Sequence, residues 1–268
     1  MDLLLSEPLF LLLLLLLRHD VGALRLLNVS VPSYTYRGES AKLECRYDLE
    51  TDRLYSVSWY KDNEAFYRFV PRDSKSQHIY EVDGVRVNGR QSNINRVILQ
   101  NVELRTRGKY KCEVSAEAPN FKYVSSEDVD MEVIALPHEG PTIVGEEKVY
   151  ASGDVLALNC TSGKSHPASR LKWFINGVEV KPETEMTFEH HGLYWTISGL
   201  RLELGPHHLT SDKINVRCEA SVLVSQETNA QSVDVRSTDV YVQGHGSIAT
   251  PCVYLIVAAI LQRLLIEV

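Results

Sequence analysis

Cys45, Trp59 and Cys112 carry the pattern that decides the fold of this chain. The tryptophan stands a short way after the first cysteine, and the second cysteine lies far downstream. The same order recurs once, at Cys160, Trp173 and Cys218. The stretches around these residues alternate apolar and polar side chains, as half-buried strands do. The chain therefore contains two similar β-rich units in tandem.

A cysteine pair that encloses a tryptophan is typical of the immunoglobulin sandwich, in which a disulfide joins two facing sheets and the indole packs against it. The 268 residues are too many for one such sandwich of about 100 residues and are enough for two. We predict an all-β protein with two tandem immunoglobulin-like β-sandwiches. The expected disulfides are Cys45–Cys112 and Cys160–Cys218, and Trp59 and Trp173 are the expected core tryptophans.

The two units differ in type. The long separation of Cys45 and Cys112 leaves room for two extra strands, so the first unit is predicted to be variable-type, and Tyr110 occupies the tyrosine-corner position. Thr106 stands where an acidic residue is usual, which puts in doubt the ion pair expected at the base of this domain. The second unit has a shorter span and Val216 at the corner position, which favours a constant-like or intermediate sandwich.

Composition shifts divide the chain further. Two prolines and a glycine in Leu136–Pro141 indicate the boundary between the sandwiches. The predicted segments are a signal peptide at 1–23, a first domain at 24–136, a second at 137–242, a short stalk at 243–251 and a hydrophobic tail at 252–268.

Both ends indicate the secretory pathway. Leu9–Leu17 is an apolar run too short to span a bilayer, and the small residues Val21–Ala23 suit cleavage after Ala23. The C-terminal tail resembles a glycolipid (GPI) attachment signal, with Gly244, Gly246 and Ser247 as candidate attachment residues. A marginal membrane span and plain secretion remain alternatives. The expected location is the extracellular face of the plasma membrane.

Two sequons, at Asn28 and Asn159, fit an extracellular surface. Because Cys160 points into the core, the alternation of a strand turns Asn159 outward, where a glycan could be attached. The fifth cysteine, Cys252, lies in the tail and is left unpaired by this scheme.

Several motifs together resemble one family. Trp59–Asp62, Phe66–Pro71, Val82–Val87 and Gly108–Ser115 in the first unit, with Trp173–Gly177 in the second, are similar to the insect Beaten path proteins. The resemblance covers both units and implies a neuronal recognition protein, in axon guidance or synaptic target choice. It also implies a protein partner, an immunoglobulin receptor of the Sidestep family.

Strand parity suggests where such a partner binds. If Trp59 faces inward, Tyr60 lies on the outer face of its sheet, and the neighbouring strand exposes alternate residues on that face. The parity of the strand after Trp59 is open, so either Phe66, Arg68 and Val70 or Tyr67 and Phe69 point outward. The candidate binding residues are Tyr60, Tyr67, Arg68, Phe69, Lys109, Lys111 and Glu113.

Other functions have less support. The net charge of −7 and the lack of a basic run argue against a nucleic-acid partner. No catalytic motif is present and no cofactor is expected; the pairs at 190–191 and 207–208 are histidines whose adjacent side chains point to opposite faces of a strand. Homophilic adhesion with weak self-association, and a secreted immune-type protein that binds a soluble ligand, remain the alternatives.

Overall fold

The computed structural model describes residues 24–119, 121–146, 149–209, 211, 213–226 and 229–244. The predicted signal peptide, Gly246, Ser247, Cys252 and the rest of the tail lie outside these residues. The described chain is built of strands and one short 3₁₀ helix, and it divides into two compact units between Val133 and Ile134. The prediction of two tandem immunoglobulin sandwiches is confirmed.

Domain 1 is a sandwich of two sheets. Its strands are β1 (Arg25–Ser30), β2 (Tyr34–Tyr36), β3 (Ala41–Asp48), β4 (Leu54–Lys61), β5 (Glu64–Phe69), β6 (Gln77–Ile79), β7 (Arg96–Leu99), β8 (Gly108–Ala116), β9 (Tyr123–Ser125) and β10 (Val129–Ile134). The smaller sheet has the order β1-β3-β7. The larger sheet has the order β2-β10-β8-β4-β5-β6, with β9 also paired to β8. Strands β5 and β6 are the additional pair that distinguishes a variable-type domain.

The core of domain 1 lies between these sheets. The Cys45–Cys112 disulfide closes a separation of 67 residues, and Trp59 is fully buried beside it. The hydroxyl of Tyr110 donates a hydrogen bond to the carbonyl oxygen of Thr106 at 2.5 Å, which is the geometry of a tyrosine corner. Burial raises the pKa of the Tyr110 hydroxyl, so it remains a neutral donor.

The base of domain 1 is held without the usual acidic residue. The buried Thr106 hydroxyl donates to the carbonyl oxygen of Gly84 at 2.5 Å and accepts from the N–H of Glu103 at 2.9 Å. Arg105 bridges Glu103 at 2.9 Å and Asp83 at 3.0 Å on the surface beside it. Hydrogen bonds of a threonine thus tie together the segments that an ion pair commonly joins.

Domain 2 is a second sandwich. Its strands are β11 (Thr142–Val144), β12 (Val149–Tyr150), β13 (Val155–Thr161), β14 (Ser169–Ile175), β15 (Val178–Val180), β16 (Thr184–His190), β17 (Leu193–Glu203), β18 (Lys213–Gln226) and β19 (Asn229–Gly244). One sheet has the order β11-β13-β17-β16, and the other has the order β12-β19-β18-β14-β15. The first order is that of a constant-type domain, and β15 adds a strand to the second.

The core of domain 2 has its own polar contact. The Cys160–Cys218 disulfide closes a separation of 58 residues, and Trp173 is fully buried. Its indole N–H donates to the hydroxyl of Ser198 at 3.0 Å. Val216 is buried among the core residues, so the corner position of this domain contributes packing alone. The indole therefore fixes its orientation through a side chain of the opposite sheet.

Candidate protein-binding site

The outer face of the larger sheet of domain 1 carries five of the seven candidate binding residues, and four of them lie on neighbouring positions of three strands. Tyr60 on β4 lies opposite Lys111 on β8, while Ser58 lies opposite Glu113 on β8 and opposite Arg68 on β5. Directly opposed residues point to the same side of a sheet. We call the surface formed by Tyr60, Arg68, Lys111 and Glu113 the front face.

Tyr60 is the centre of a small polar network on the front face. Its hydroxyl donates to Oε1 of Glu113 at 3.2 Å, and Nζ of Lys111 lies 5.4 Å from its ring centroid. Lys111 also donates to Oδ1 of Asn63 at 3.2 Å. Burial, followed by the charge of Glu113, raises the pKa of the Tyr60 hydroxyl. The ring is thereby held in one orientation, with its hydroxyl neutral.

Arg68 covers the neighbouring part of the front face. One guanidinium nitrogen donates to the hydroxyl of Ser56 at 3.4 Å, and the guanidinium carbon lies 5.5 Å from the centroid of the half-exposed Tyr55 ring. The buried serines Ser56 and Ser58 leave room for this long side chain above the sheet. Arginine and tyrosine are among the residue types enriched in binding hot spots.

Tyr67 and Phe69 do not belong to this surface, and their inclusion in the predicted site was wrong. Tyr67 lies opposite Trp59 and is fully buried, and Phe69 lies opposite Val57 and packs against the core. The reason is a bulge: Tyr60 pairs with Ala65 but Trp59 pairs with Tyr67. The extra residue between them shifts the alternation, so two consecutive aromatic residues point inward.

The buried position of Tyr67 has a chemical consequence. Its hydroxyl donates to the carbonyl oxygen of Asn93 at 3.2 Å, and burial raises its pKa to about 12. Of the aromatic run that marks the family resemblance, Phe66 is also fully buried and packs edge-on against Tyr110, with ring centroids 5.9 Å apart. This motif therefore stabilises the domain and presents Arg68 outward.

Lys109 lies at the lower end of the front face. It is exposed and is opposite Asp130 on β10. Its backbone N–H donates to Oδ1 of Asp62 at 2.9 Å, which fixes the turn between β4 and β5. Burial raises the pKa of Asp62, but the hydrogen bonds from the Lys109 backbone and the Lys61 side chain, with the charges of both lysines, outweigh it, so the net shift of this pKa is downward.

A cleft opens at the loop end of domain 1, beside the front face. Its volume is about 770 Å³. The loops after β3, β5 and β8 form it, and it is lined by Thr51, Asp52, Arg53, Tyr55, Val70, Arg72, Asp73, Ala116, Glu117, Ala118, Pro119 and Phe121. Arg72 bridges Glu117 at 2.7 Å across it. Phe121 is 75% exposed at its edge and Tyr123 is 72% exposed close by.

This cleft is not among the sites predicted from the sequence. Three loops distant in sequence form the cleft together, so no single stretch indicates it. Phe121 was the available signal, since a large aromatic residue within a polar loop is commonly a contact residue. The cleft extends the candidate site beyond the front face.

Comparisons with known proteins agree with the architecture. The immunoglobulin V-set domain family matches residues 29–134, and the CD80-like C2-set immunoglobulin domain family matches residues 141–227. The chain is an immunoglobulin-superfamily protein. The two matches cover the two sandwiches in the order found in the structure.

The relatives of this immunoglobulin-superfamily protein are adhesion molecules. Human Cell adhesion molecule 1 is 24% identical over 184 residues, which are 68% of this chain and 37% of that protein. Rat Cell adhesion molecule 2 is 28% identical over 144 residues, which are 54% of this chain and 30% of that protein. The chain thus spans about a third of the length of these relatives. The likeness supports an extracellular cell-recognition protein.

Solved structures agree on the fold. The structure of Rst D1-D2 superimposes with a TM-score of 0.55 at 17% identity, over 84% of this chain and all of that one.

Within the described residues, no group of three or more histidine, cysteine, aspartate or glutamate side chains is placed to hold a metal ion. The same residues contain no helix long and apolar enough to cross a membrane.

The remaining predicted sites have defined positions. Asn28 and Asn159 are exposed on β1 and β13, and their glycosylation stays a prediction. Gly244 is buried at the end of β19, where it pairs with Tyr150. A side chain there would collide with Leu209, since a Cβ would lie 2.5 Å from its Cδ2. Lipid attachment at Gly244 also stays a prediction.

Proposed function

We propose that this protein recognises a second cell-surface protein through the front face and the adjoining loop-end cleft of domain 1. The observation that carries the proposal is the cluster of Tyr60, Lys111 and Glu113, oriented by contacts with one another, with Arg68 held on the same face by Ser56 and Tyr55. Preoriented side chains lose little conformational entropy on binding. The charges around them suit the polar rim of a reversible interface.

The partner we propose is an immunoglobulin receptor of the Sidestep type, on the neuronal surface, with a role in axon guidance or synaptic target choice. This part rests on the resemblance to the Beaten path proteins at Phe66–Pro71 and the neighbouring motifs. One observation supports it: within that run Arg68 lies on the outer face of the sheet, while Phe66, Tyr67 and Val70 are buried. A heterophilic contact would therefore involve this arginine.

Homophilic adhesion is the second candidate. It is favoured by the neighbouring opposite charges of Lys111 and Glu113, because a two-fold interface needs a surface that complements itself. The names of the adhesion relatives are compatible with either homophilic or heterophilic adhesion.

A small-molecule ligand in the loop-end cleft is a third candidate, favoured by the cleft volume of about 770 Å³, which lies in the range of ligand sites.

One screen separates these candidates. The protein, displayed in multivalent form, is applied to an array of extracellular immunoglobulin proteins that includes Sidestep-type receptors and the protein itself. Binding to a Sidestep-type receptor supports the heterophilic proposal. Binding to itself alone contradicts it and supports homophilic adhesion. If no protein binds, the ligand proposal is tested next by thermal-shift screening of small molecules, with Phe121→Ala as the cleft variant.

We also propose that the tail at 252–268 directs attachment of a glycolipid anchor at Gly244, Gly246 or Ser247. The support is the order of small residues, short spacer and terminal apolar stretch. The full chain is expressed on cultured cells and treated with phosphatidylinositol-specific phospholipase C. Release into the medium supports the anchor, and retention on the cells contradicts it.

A further inference from the structure

An apolar stripe crosses the outer face of the β11-β13-β17-β16 sheet of domain 2. Phe188 on β16 stacks on Trp195 on β17, with ring centroids 5.4 Å apart and planes at 19°. Met186, which is 54% exposed, lies opposite Ile197 in the adjacent row. Nζ of Lys164 lies 5.2 Å from the Trp195 centroid at the edge of the stripe. Contiguous apolar side chains on a sheet surface are normally covered.

Asn159 lies on the same face, at one end of this stripe. It is opposite Gly199 on β17, and Thr161 is opposite Ile197. Because side chains on one face recur every second residue, Asn159, Ile197 and Trp195 lie in three successive rows, each about 7 Å from the next. The sequon that comprises Asn159 and Thr161 is therefore aligned with the apolar stripe.

Gly199 gives the direction in which the Asn159 side chain lies. A Cβ on Gly199 would be 3.3 Å from Oδ1 of Asn159 and 2.5 Å from Oγ1 of Thr184. The amide of Asn159 therefore leans over β17, on the side of the stripe. A glycine inside a strand weakens the strand and often marks a place where another group approaches the backbone. Here the space that a side chain would occupy is taken by the side chains of Thr184 and Asn159.

We propose that Asn159 carries an N-linked glycan whose first sugars lie on Ile197, Met186 and the Trp195–Phe188 pair. The glycan is then an intramolecular cover for the stripe. In the transfer, the amide nitrogen of Asn159 forms a bond to C1 of the first sugar of a lipid-linked oligosaccharide. The bond from C1 to the diphosphate carrier breaks, the carrier leaves as the lipid diphosphate, and the amide loses one proton.

The chemistry of the stripe suits a sugar. The hydrogen-rich face of a pyranose packs on aromatic rings, and burial of apolar area is favourable by about 25 cal/mol per Å². Lys164 lies at the border of the stripe, over Trp195, and can donate hydrogen bonds to sugar hydroxyls. The row of Trp195 and Phe188 lies two row spacings, about 14 Å, from that of Asn159, so a chain of sugars passes over Ile197 before it reaches the aromatic pair.

Asn28 provides the contrast within the same chain. This sequon is also exposed, but Asn28 lies opposite Arg46 on β3, beside the charged Lys42 and Glu44 of that strand. A glycan there would lie on charged side chains, which water solvates well, and would shield no apolar surface. The two sequons thus allow a comparison in which glycans of similar size are removed from different surroundings.

The test uses Met186 as a reporter of coverage. The full chain is expressed in eukaryotic cells, the glycan occupancy of Asn159 is measured by glycopeptide mass spectrometry, and the surface protein is treated with dilute hydrogen peroxide. Oxidation of methionine follows exposure, so removal of the glycan by Asn159→Gln should speed sulfoxide formation at Met186 about threefold. Thr161→Ala should act in the same way, and Thr161→Ser, which keeps the sequon, should match the unmodified protein.

Two controls make the outcome decisive. Buried Met131 should stay protected in every variant, which shows that the chain is folded. Asn28→Gln removes the other glycan and should leave the rate at Met186 unchanged. An unoccupied Asn159 would overturn the proposal. So would an equal Met186 oxidation rate with and without the glycan, or protection that depends on protein concentration, which would assign the stripe to a second copy.

Discussion

The tyrosine corner of domain 1 gives a prediction with a magnitude. Tyr110→Phe deletes one hydroxyl and, with it, the 2.5 Å hydrogen bond to the carbonyl oxygen of Thr106. The ring and its edge-on contact with Phe66 remain in place. Loss of a buried hydrogen bond, with the acceptor left behind, costs about 1–2 kcal/mol of the free energy of unfolding. For a domain of this size we expect the melting temperature to fall by about 5–10 °C.

Differential scanning calorimetry measures this change. Domain 2 serves as the internal reference, since its transition should not move. Tyr123→Phe is the matched control, because Tyr123 is 72% exposed and its hydroxyl meets solvent. A melting temperature of domain 1 that stays within about 1 °C for Tyr110→Phe, a shift worth only a few tenths of a kcal/mol, would refute the reasoning.

Three further predictions concern stability. Ser198→Ala removes the acceptor of the Trp173 indole and should lower the unfolding free energy of domain 2 by about 1–2 kcal/mol in urea titrations; an unchanged midpoint contradicts this. Gly84→Ala should destabilise domain 1 by more than about 1 kcal/mol, because φ at Gly84 is +73° and a Cβ would collide with the backbone of Arg105; far-ultraviolet melting curves will show whether it does. The pKa of Tyr67 rises from 10.0 to about 12 on folding, so unfolding releases a proton in this range and stability falls between these pH values. Tyr67→Phe should make that fall shallower, and an identical pH profile for the two proteins would be evidence against it.

The sequence predicted the fold because its signals are local and redundant. The spacing of cysteines and tryptophans, the alternation of apolar residues and the tyrosine before Cys112 each indicate the same sandwich. The position of Tyr60 on the outer face followed from the inward position of Trp59 by the alternation of a single strand. This prediction uses the alternation within one strand and does not require the pairing of that strand with its neighbours.

The remainder of the candidate site depends on contacts between strands and loops. A two-residue hairpin continued without interruption from the pair Lys61–Glu64 would place Tyr67 opposite Ser58 and point it outward. The bulge beside Tyr60 reverses this, and its energetic origin is the burial of two adjacent rings, Phe66 and Tyr67. The position of the bulge depends on packing throughout the core, so no local sequence pattern predicts it.

The front face itself is tested most directly by affinity measurements on matched variants. Binding of the protein to a Sidestep-type receptor is measured by surface plasmon resonance for Tyr60→Ala and for Tyr241→Ala, an exposed tyrosine of domain 2. A hot-spot tyrosine contributes about 2 kcal/mol, so Tyr60→Ala should weaken binding about thirtyfold. Tyr241→Ala should leave the affinity unchanged. Equal affinities for the two variants would contradict recognition through the front face.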